Sequence, residues 1–140
     1  MANANEPRLT QWQDGDLVEY PLATAEVIYE GTHTCLNSGG YLVKADKKSG
    51  LTYAGVAYET ADNSAGAAGD KTCRVKVTKL HEFTSSGLAQ ADVRKKVYVT
   101  DNQTVTTSAP TYDVYCGNIA KVLSATSCMV DIRPATIVGL

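Results

Sequence analysis

"TCRVKVTKL", residues 72–80, decides the fold class. Successive side chains of an extended strand point to opposite faces, so Cys73, Val75 and Val77 share one side while Thr72, Arg74 and Lys76 share the other. One face reads as core and the other as solvent. "SCMVDI" at 127–132 repeats the pattern, with Cys128, Val130 and Ile132 inward and Met129 and Asp131 outward. Around these two runs lie "LVEY" at 17–20, "EVIYE" at 26–30, "YLVKA" at 41–45, "YAGVAYE" at 53–59, "KKVYVT" at 95–100 and "GNIAKVL" at 117–123. Short alternating runs between turn-rich stretches predict a mainly β chain, a small barrel-like or sandwich body of short antiparallel strands. One short helix is expected, over "SSGLAQADVRKK" at 85–96, where Ser85 or Ser86 would cap a turn holding Leu88, Ala89, Ala91 and Val93.

The chain also carries an internal echo. "GYLVKAD", then "GVAYE", then "KTCRVKV" parallels "KKVYVTD", then "GNIAKVL", then "TSCMVDI". Each half has a strand ending in Asp46 or Asp101, a glycine at 55 or 117 that opens the next strand, and a Cys-x-Val-x-Val/Ile strand that closes it. Two similar three-stranded units would make one barrel-like body.

Between the strands at 53–59 and 72–80 runs "DNSAGAAGDK", 62–71. A phosphate-binding loop needs Gly, four residues, then Gly-Lys-Ser/Thr, so that backbone N–H groups and one lysine converge on the anion. Gly66 and Gly69 are too close for that spacing, and Asp70 would face the anion with like charge. The stretch reads instead as a connecting loop, with Asp62 and Asn63 favouring turns and small residues able to lie against another surface.

A length of 140 residues suits one domain. The net charge is −2 and the basic groups "KADKK" and "RKK" are brief, which argues against nucleic-acid binding. The N-terminus lacks the apolar stretch of a signal peptide and no segment approaches a membrane span, so synthesis in a cytosol is expected. In that compartment Cys35, Cys73, Cys116 and Cys128 read as thiols, and none forms a C-x-x-C pair.

Chemistry-bearing motifs are scarce. His33 stands two residues from Cys35, too few ligands for zinc, and His81 reads as a strand residue beside Glu82. Asp14 and Asp16 in "DGD" lack the further oxygens and closing glutamate of a calcium loop. No serine sits in Gly-x-Ser-x-Gly. The reading is no enzyme, no catalytic residue, no cofactor and no metal. The eight tyrosines suit strand cores and interfaces. Two alternatives stay open: a barrel that binds a small ligand or glycan with tyrosines around one mouth, and a hydrolase that uses a cysteine.

The ends complete the organisation: an extended N-terminal arm at 1–16, a β-rich body at 17–133 and a C-terminal extension at 134–140. The arm holds Leu9 and Trp12 among polar residues, with Pro7 blocking regular structure, and cannot form a core of its own. Its expected use is against a partner, through backbone groups and a pocketed Trp12. Ile137, Val138 and Leu140 would be costly to leave wet and are expected on the body or on a neighbouring subunit.

"GDLVEYPLATAEVIYEGTHTCLN", "GLTYAGVAYETADNSAGAAGDKTCRVKV", "GLAQADVRKKVYVTDNQTV" and "CGNIAKVLSATSCMVDI", in that order, resemble the capsid cement or head-decoration proteins of tailed bacteriophages, a family once filed as a domain of unknown function. The resemblance runs from Gly15 to Ile132. Arg94 departs from it, standing where such proteins often have glycine. It implies a body that assembles, often as a homotrimer, on the outer surface of an expanded virion head and bridges major capsid protein subunits. Multivalency would raise the avidity of each weak contact. On this reading the capsid contacts are Asn3, Asn5, Pro7, Arg8, Leu9 and Trp12 of the arm with Asn63, Ser64, Gly66 and Gly69 of the loop. The subunit contacts are Ile137, Val138 and Leu140.

Overall fold

A computed structural model describes residues 4–9 and 15–138, with positions 137 and 138 as backbone only. Twelve strands and one short helix follow one another: β1 (Leu17–Pro21), β2 (Val27–Ile28), β3 (His33–Leu36), β4 (Leu42–Lys44), β5 (Thr52–Ala57), β6 (Ala61–Asp62), β7 (Thr72–Lys76), β8 (Leu80–Thr84), β9 (Lys96–Val99), β10 (Val105–Thr106), β11 (Tyr115–Ser124), β12 (Ser127–Asp131) and α1 (Arg133–Val138). The mainly β, antiparallel body expected from the alternation is present. Cys73, Val75, Cys128 and Val130 all point inward and are fully buried.

Two five-stranded sheets, ordered β1-β7-β5-β3-β4 and β8-β12-β11-β9-β10, are the same arrangement drawn twice. Their registers match at pair after pair, and the β11–β12 hairpin alone continues past the matching region, through two further bulges. Glu19 faces Arg74 as Glu82 faces Met129, Val56 faces Lys76 as Asn118 faces Asp131, and Thr34 faces Gly55 as Val97 faces Gly117. Each sheet even has its bulge at the same step, Ala54 in one and Cys116 in the other. Gly55 and Gly117 hold φ of 139° and 140°, and a Cβ there would sit 2.3 Å from the Lys76 carbonyl oxygen and 2.2 Å from that of Asp131. The two glycines are therefore required by a close strand crossing, and they lie inside β5 and β11 rather than opening them.

The duplication corrects the pairing read from sequence. The counterpart of β9 is β3, not the run at 41–46, which becomes β4 and matches β10. Neither sheet closes into a barrel. Each curls until its edges touch at one end, through single parallel bridges at Leu22–Leu42 and Thr84–Thr104.

The halves differ in what covers their concave sides. In the first, Leu42, Ala54, Ala57, Cys73 and Val75 are roofed by Leu22, Ile28 of β2 and Ala61 of β6. In the second, β12 follows β11 after a tight hairpin and, among the described residues, no such roof is built. Instead the outer face of β3 and β5, with Cys35, Tyr53 and Val56, closes over Phe83, Val97, Val99, Cys116, Ile119 and Val130. Helix α1 completes this larger core through Ala135, and the Thr136 hydroxyl donates to the Val77 carbonyl at 2.6 Å.

The helix expected over 85–96 is absent apart from one 3-10 turn at Gln90–Asp92. Gly87 (φ 64°) and Arg94 (φ 75°) break the winding on either side. The N–H groups of Ser85 and Leu88 are spent on the carbonyls of Thr126 and Ala125, so the segment straps onto the β11–β12 hairpin. The helix that does form, α1, begins where Asp131 accepts the Arg133 N–H at 3.1 Å and binds its guanidinium, with Pro134 in the first turn. It spans the expected boundary at 133–134.

Candidate interaction surfaces

Apolar side chains fill the interior, and among the described residues the buried polar ones are His33, Thr34, Asn63 and Ser85. His33 is fully buried between the two sheets. Its ring stacks on Phe83 at 3.5 Å between centroids, and its Nδ1 lies 2.7 Å from the Tyr53 hydroxyl. Nε2 has no partner. Burial, with a smaller contribution from His81, pushes this imidazole down to about 3, so it is neutral at neutral pH.

The four cysteines are buried and unpaired. Desolvation raises Cys35 to about 12 and Cys73 to about 11, and it lifts Cys116 and Cys128 as well. A nucleophilic cysteine needs the opposite shift, toward thiolate. Among the described residues no three His, Cys, Asp or Glu are placed to hold a metal ion, and no helix is long and apolar enough to cross a membrane.

The arm is described over 4–9, where it has no regular structure and every residue is exposed, Leu9 by 88%. Asn5, Pro7, Arg8 and Leu9 thus stand in solvent; Asn3 and Trp12 lie outside the described residues.

The loop 62–71 is laced down rather than free. Backbone bonds tie Asn63 N–H to the Glu26 carbonyl, Ala25 N–H to Gly66, Gly69 N–H to Leu22 and Leu22 N–H to Lys71. The Asn63 amide, 1% exposed, donates to the carbonyls of Ala23 at 2.9 Å and Ala67 at 3.0 Å. Asp70 accepts the Ala67 N–H at 2.9 Å, and the Thr24 hydroxyl accepts that of Ala68 at 3.1 Å. Asn63 is therefore the anchor of the loop. Gly66 is half-buried, and a Cβ there would meet the Asn63 Oδ1 at 2.1 Å. Ser64, Ala65, Gly69 and Lys71 form the exposed rim.

At the other end Ile137 and Val138 fall in α1 and Leu140 lies outside the described residues.

A further face emerges from the duplication. On the outside of β9 and β11 stand Lys96, Tyr98, Tyr115 and Asn118, the counterparts of His33, Cys35, Tyr53 and Val56. The first set is buried against the other half of the chain, whereas Tyr98, Tyr115 and Asn118 are half-buried and Lys96 is exposed. The two tyrosine rings meet edge to face at 6.2 Å, with the Lys96 ammonium 5.7 Å above Tyr115. The Tyr115 hydroxyl donates to Asn118 Oδ1, and Asn118 Nδ2 donates to the Arg94 carbonyl at 2.8 Å. Lys96, Tyr98 and Tyr115, with Asp113 and Val114, line a depression of about 250 Å³. Alternation in "KKVYVT" puts Tyr98 on the face away from the core, but only the register shows that its first-half counterpart is covered.

No family model, no curated protein and no solved structure matches the chain.

Proposed function

We propose that the chain is a structural decoration protein of a tailed-phage head, one that sits as a homotrimer on the outer surface of the expanded shell and bridges major capsid protein subunits. The observation that carries this reading is the arm. Six consecutive residues stand in solvent, and Leu9 exposes 88% of its surface. Burying such a side chain is worth about 1.5–3 kcal/mol, a gain that only a second surface can supply. The exposed rim of the loop, Ser64 to Lys71, is the second contact, held in shape by Asn63 and offering small side chains that allow close approach. Weak contacts of this size become firm when three copies engage together.

The other reading, a small-ligand or glycan-binding protein, has the tyrosine-lined depression in its favour. At about 250 Å³ it falls below the roughly 300–1,000 Å³ usual for ligand pockets, and it is shallow. Decoration is the better account.

Co-sedimentation with expanded, undecorated heads of the source phage tests it, with compact precursor heads as control. Saturable binding to expanded heads alone is expected, weakened at least tenfold when residues 1–16 are deleted. Absence of binding to either form would sink the proposal.

A further inference from the structure

We infer that the seam between the halves is an acid-operated opening: a proton on His33 releases β8 to β12 from the first sheet as one unit, while β1 to β7 keep their own core. This opening is a property of the single chain and holds with or without a shell.

The trigger is read from the geometry around His33. Its ring is fully buried and stacked on Phe83 of the opposite half. Nδ1 meets the Tyr53 hydroxyl, whereas Nε2 has no partner among the described residues. An imidazolium donates from both nitrogens, so a proton here leaves a charge and an N–H that the seam cannot satisfy. The groups that face the ring offer no relief. β5 brings the Tyr53 hydroxyl, near which stand the thiols of Cys35 and Cys116, and β8 brings His81, whose charge would repel. β4 sets the Ala45 backbone opposite, and the Asn102 carbonyl is already bonded to the His33 backbone N–H.

The halves are unequal in what they lose when the seam parts. The first core, with Leu22, Ile28, Leu42, Cys73 and Val75, is built wholly from residues of the first half. The second core is closed by Cys35, Tyr53 and Val56, which come from across the seam. Separation strips the second half of its lid and leaves the first core intact. Partial openings of this kind cost less free energy than unfolding the whole chain.

The cysteines record which of the two has happened. All four are buried and unpaired, but Cys73 lies in the first core while Cys35, Cys116 and Cys128 lie in the seam core. The sign follows from the imidazole, which burial holds down to about 3 in the closed form. Below pH 6.5 the opened form takes up a proton that the closed form refuses, so opening becomes more frequent as pH falls.

Thiol labelling of the purified full-length protein with a pyridyl disulfide, which reacts in mild acid, tests this at pH 7.5 and 5.5. Each site is read by peptide mass spectrometry at low extents of labelling, and its rate is divided by that of the urea-unfolded chain at the same pH. His81→Gln is the starting variant, because it leaves His33 as the only imidazole. Uptake of one proton at an ordinary histidine makes opening about tenfold more frequent over this range, which lies above the titration of ordinary carboxylates. Cys35, Cys116 and Cys128 should therefore react about tenfold faster at pH 5.5, with Cys73 at least tenfold slower than any of them at both values. Adding His33→Phe should remove the pH dependence and keep the order of sites. Cys73 reacting in step with the other three would make the opening global and overturn the inference. Rates at the three seam thiols that do not rise with acid, four thiols that stay unreacted at pH 5.5, or a rise that survives His33→Phe would overturn it as well. The contrast between Cys73 and the seam thiols needs no change at His33, so it decides the matter even if His33→Phe does not fold.

Discussion

Arg94 holds φ of 75°, a left-handed conformation that costs a residue bearing a Cβ about 1–2 kcal/mol. Its backbone is fixed there from both sides, the N–H bonded to the Ile119 carbonyl at 2.7 Å and the carbonyl to Asn118. The strain is local and removable. Arg94→Gly should raise stability in urea by about 0.5–1 kcal/mol, the relief being partly offset by the freer unfolded chain. The contrast is Gly117→Ala, where φ is 140° and the added carbon would lie 2.2 Å from a backbone oxygen. That variant should lose more than about 3 kcal/mol or fail to fold, and Gly55→Ala should behave alike. At this scale the sequence is a good guide. Period-two alternation places the thiols of Cys73 and Cys128 in the core, but it does not say that Gly55 and Gly117 lie where two strands nearly touch.

Elements show where local patterns fail. The run at 85–96 has helix-forming composition, yet its N–H groups are satisfied by the hairpin at 125–126, a partner about forty positions away that propensity cannot see. Strand β3 escapes for the opposite reason. "HTCL" has no solvent face to alternate with, because His33, Thr34 and Cys35 are all buried. The loop 62–71 is legible as a connection, but its grip on 22–26 depends on Asn63, whose amide bonds Ala23, 40 positions away, as well as Ala67 within the loop. Asn63→Ala should cost about 1–2 kcal/mol, since the half-buried Ala23 carbonyl and the Ala67 carbonyl lose their donor and the buried amide leaves a gap. It should also speed hydrogen exchange at Ala25, Gly66 and Gly69 while leaving β11 and β12 unchanged.

The whole molecule turns on the seam between the halves, which no run of residues announces. His33 sits in that seam, and its folded pKa of about 3 lies below the ordinary 6.5. Above pH 6.5 the side chain is neutral in both folded and unfolded chains and has no effect on the balance. As pH falls below 6.5 the unfolded chain gains a proton that the folded chain refuses, so stability declines until about pH 3, by up to roughly 4 kcal/mol. His33→Phe should keep the stack on Phe83, lose about 1–2 kcal/mol at pH 7.5 by orphaning the Tyr53 hydroxyl, and flatten the decline between pH 6.5 and 4.5. Urea midpoints across that range give both numbers. A slope unchanged by the substitution would assign the acid response to other groups.

The unequal roofing of the two sheets also sets an order of events during synthesis. Every strand of the first sheet, together with β2 and β6 that cover it, has been made by Lys76. Chains emerge from the ribosome at about 5–20 residues per second and their N-terminal parts tend to fold first. The first half can thus assemble around its own core while the second is still being translated. The second half has no cover of its own and meets the waiting surface of Cys35, Tyr53 and Val56 as it emerges. Reversing the order, by circular permutation that puts 80–138 first, would present Phe83, Val97 and Ile119 to water before their lid exists, and the ribosome would be delivering an aggregation-prone intermediate.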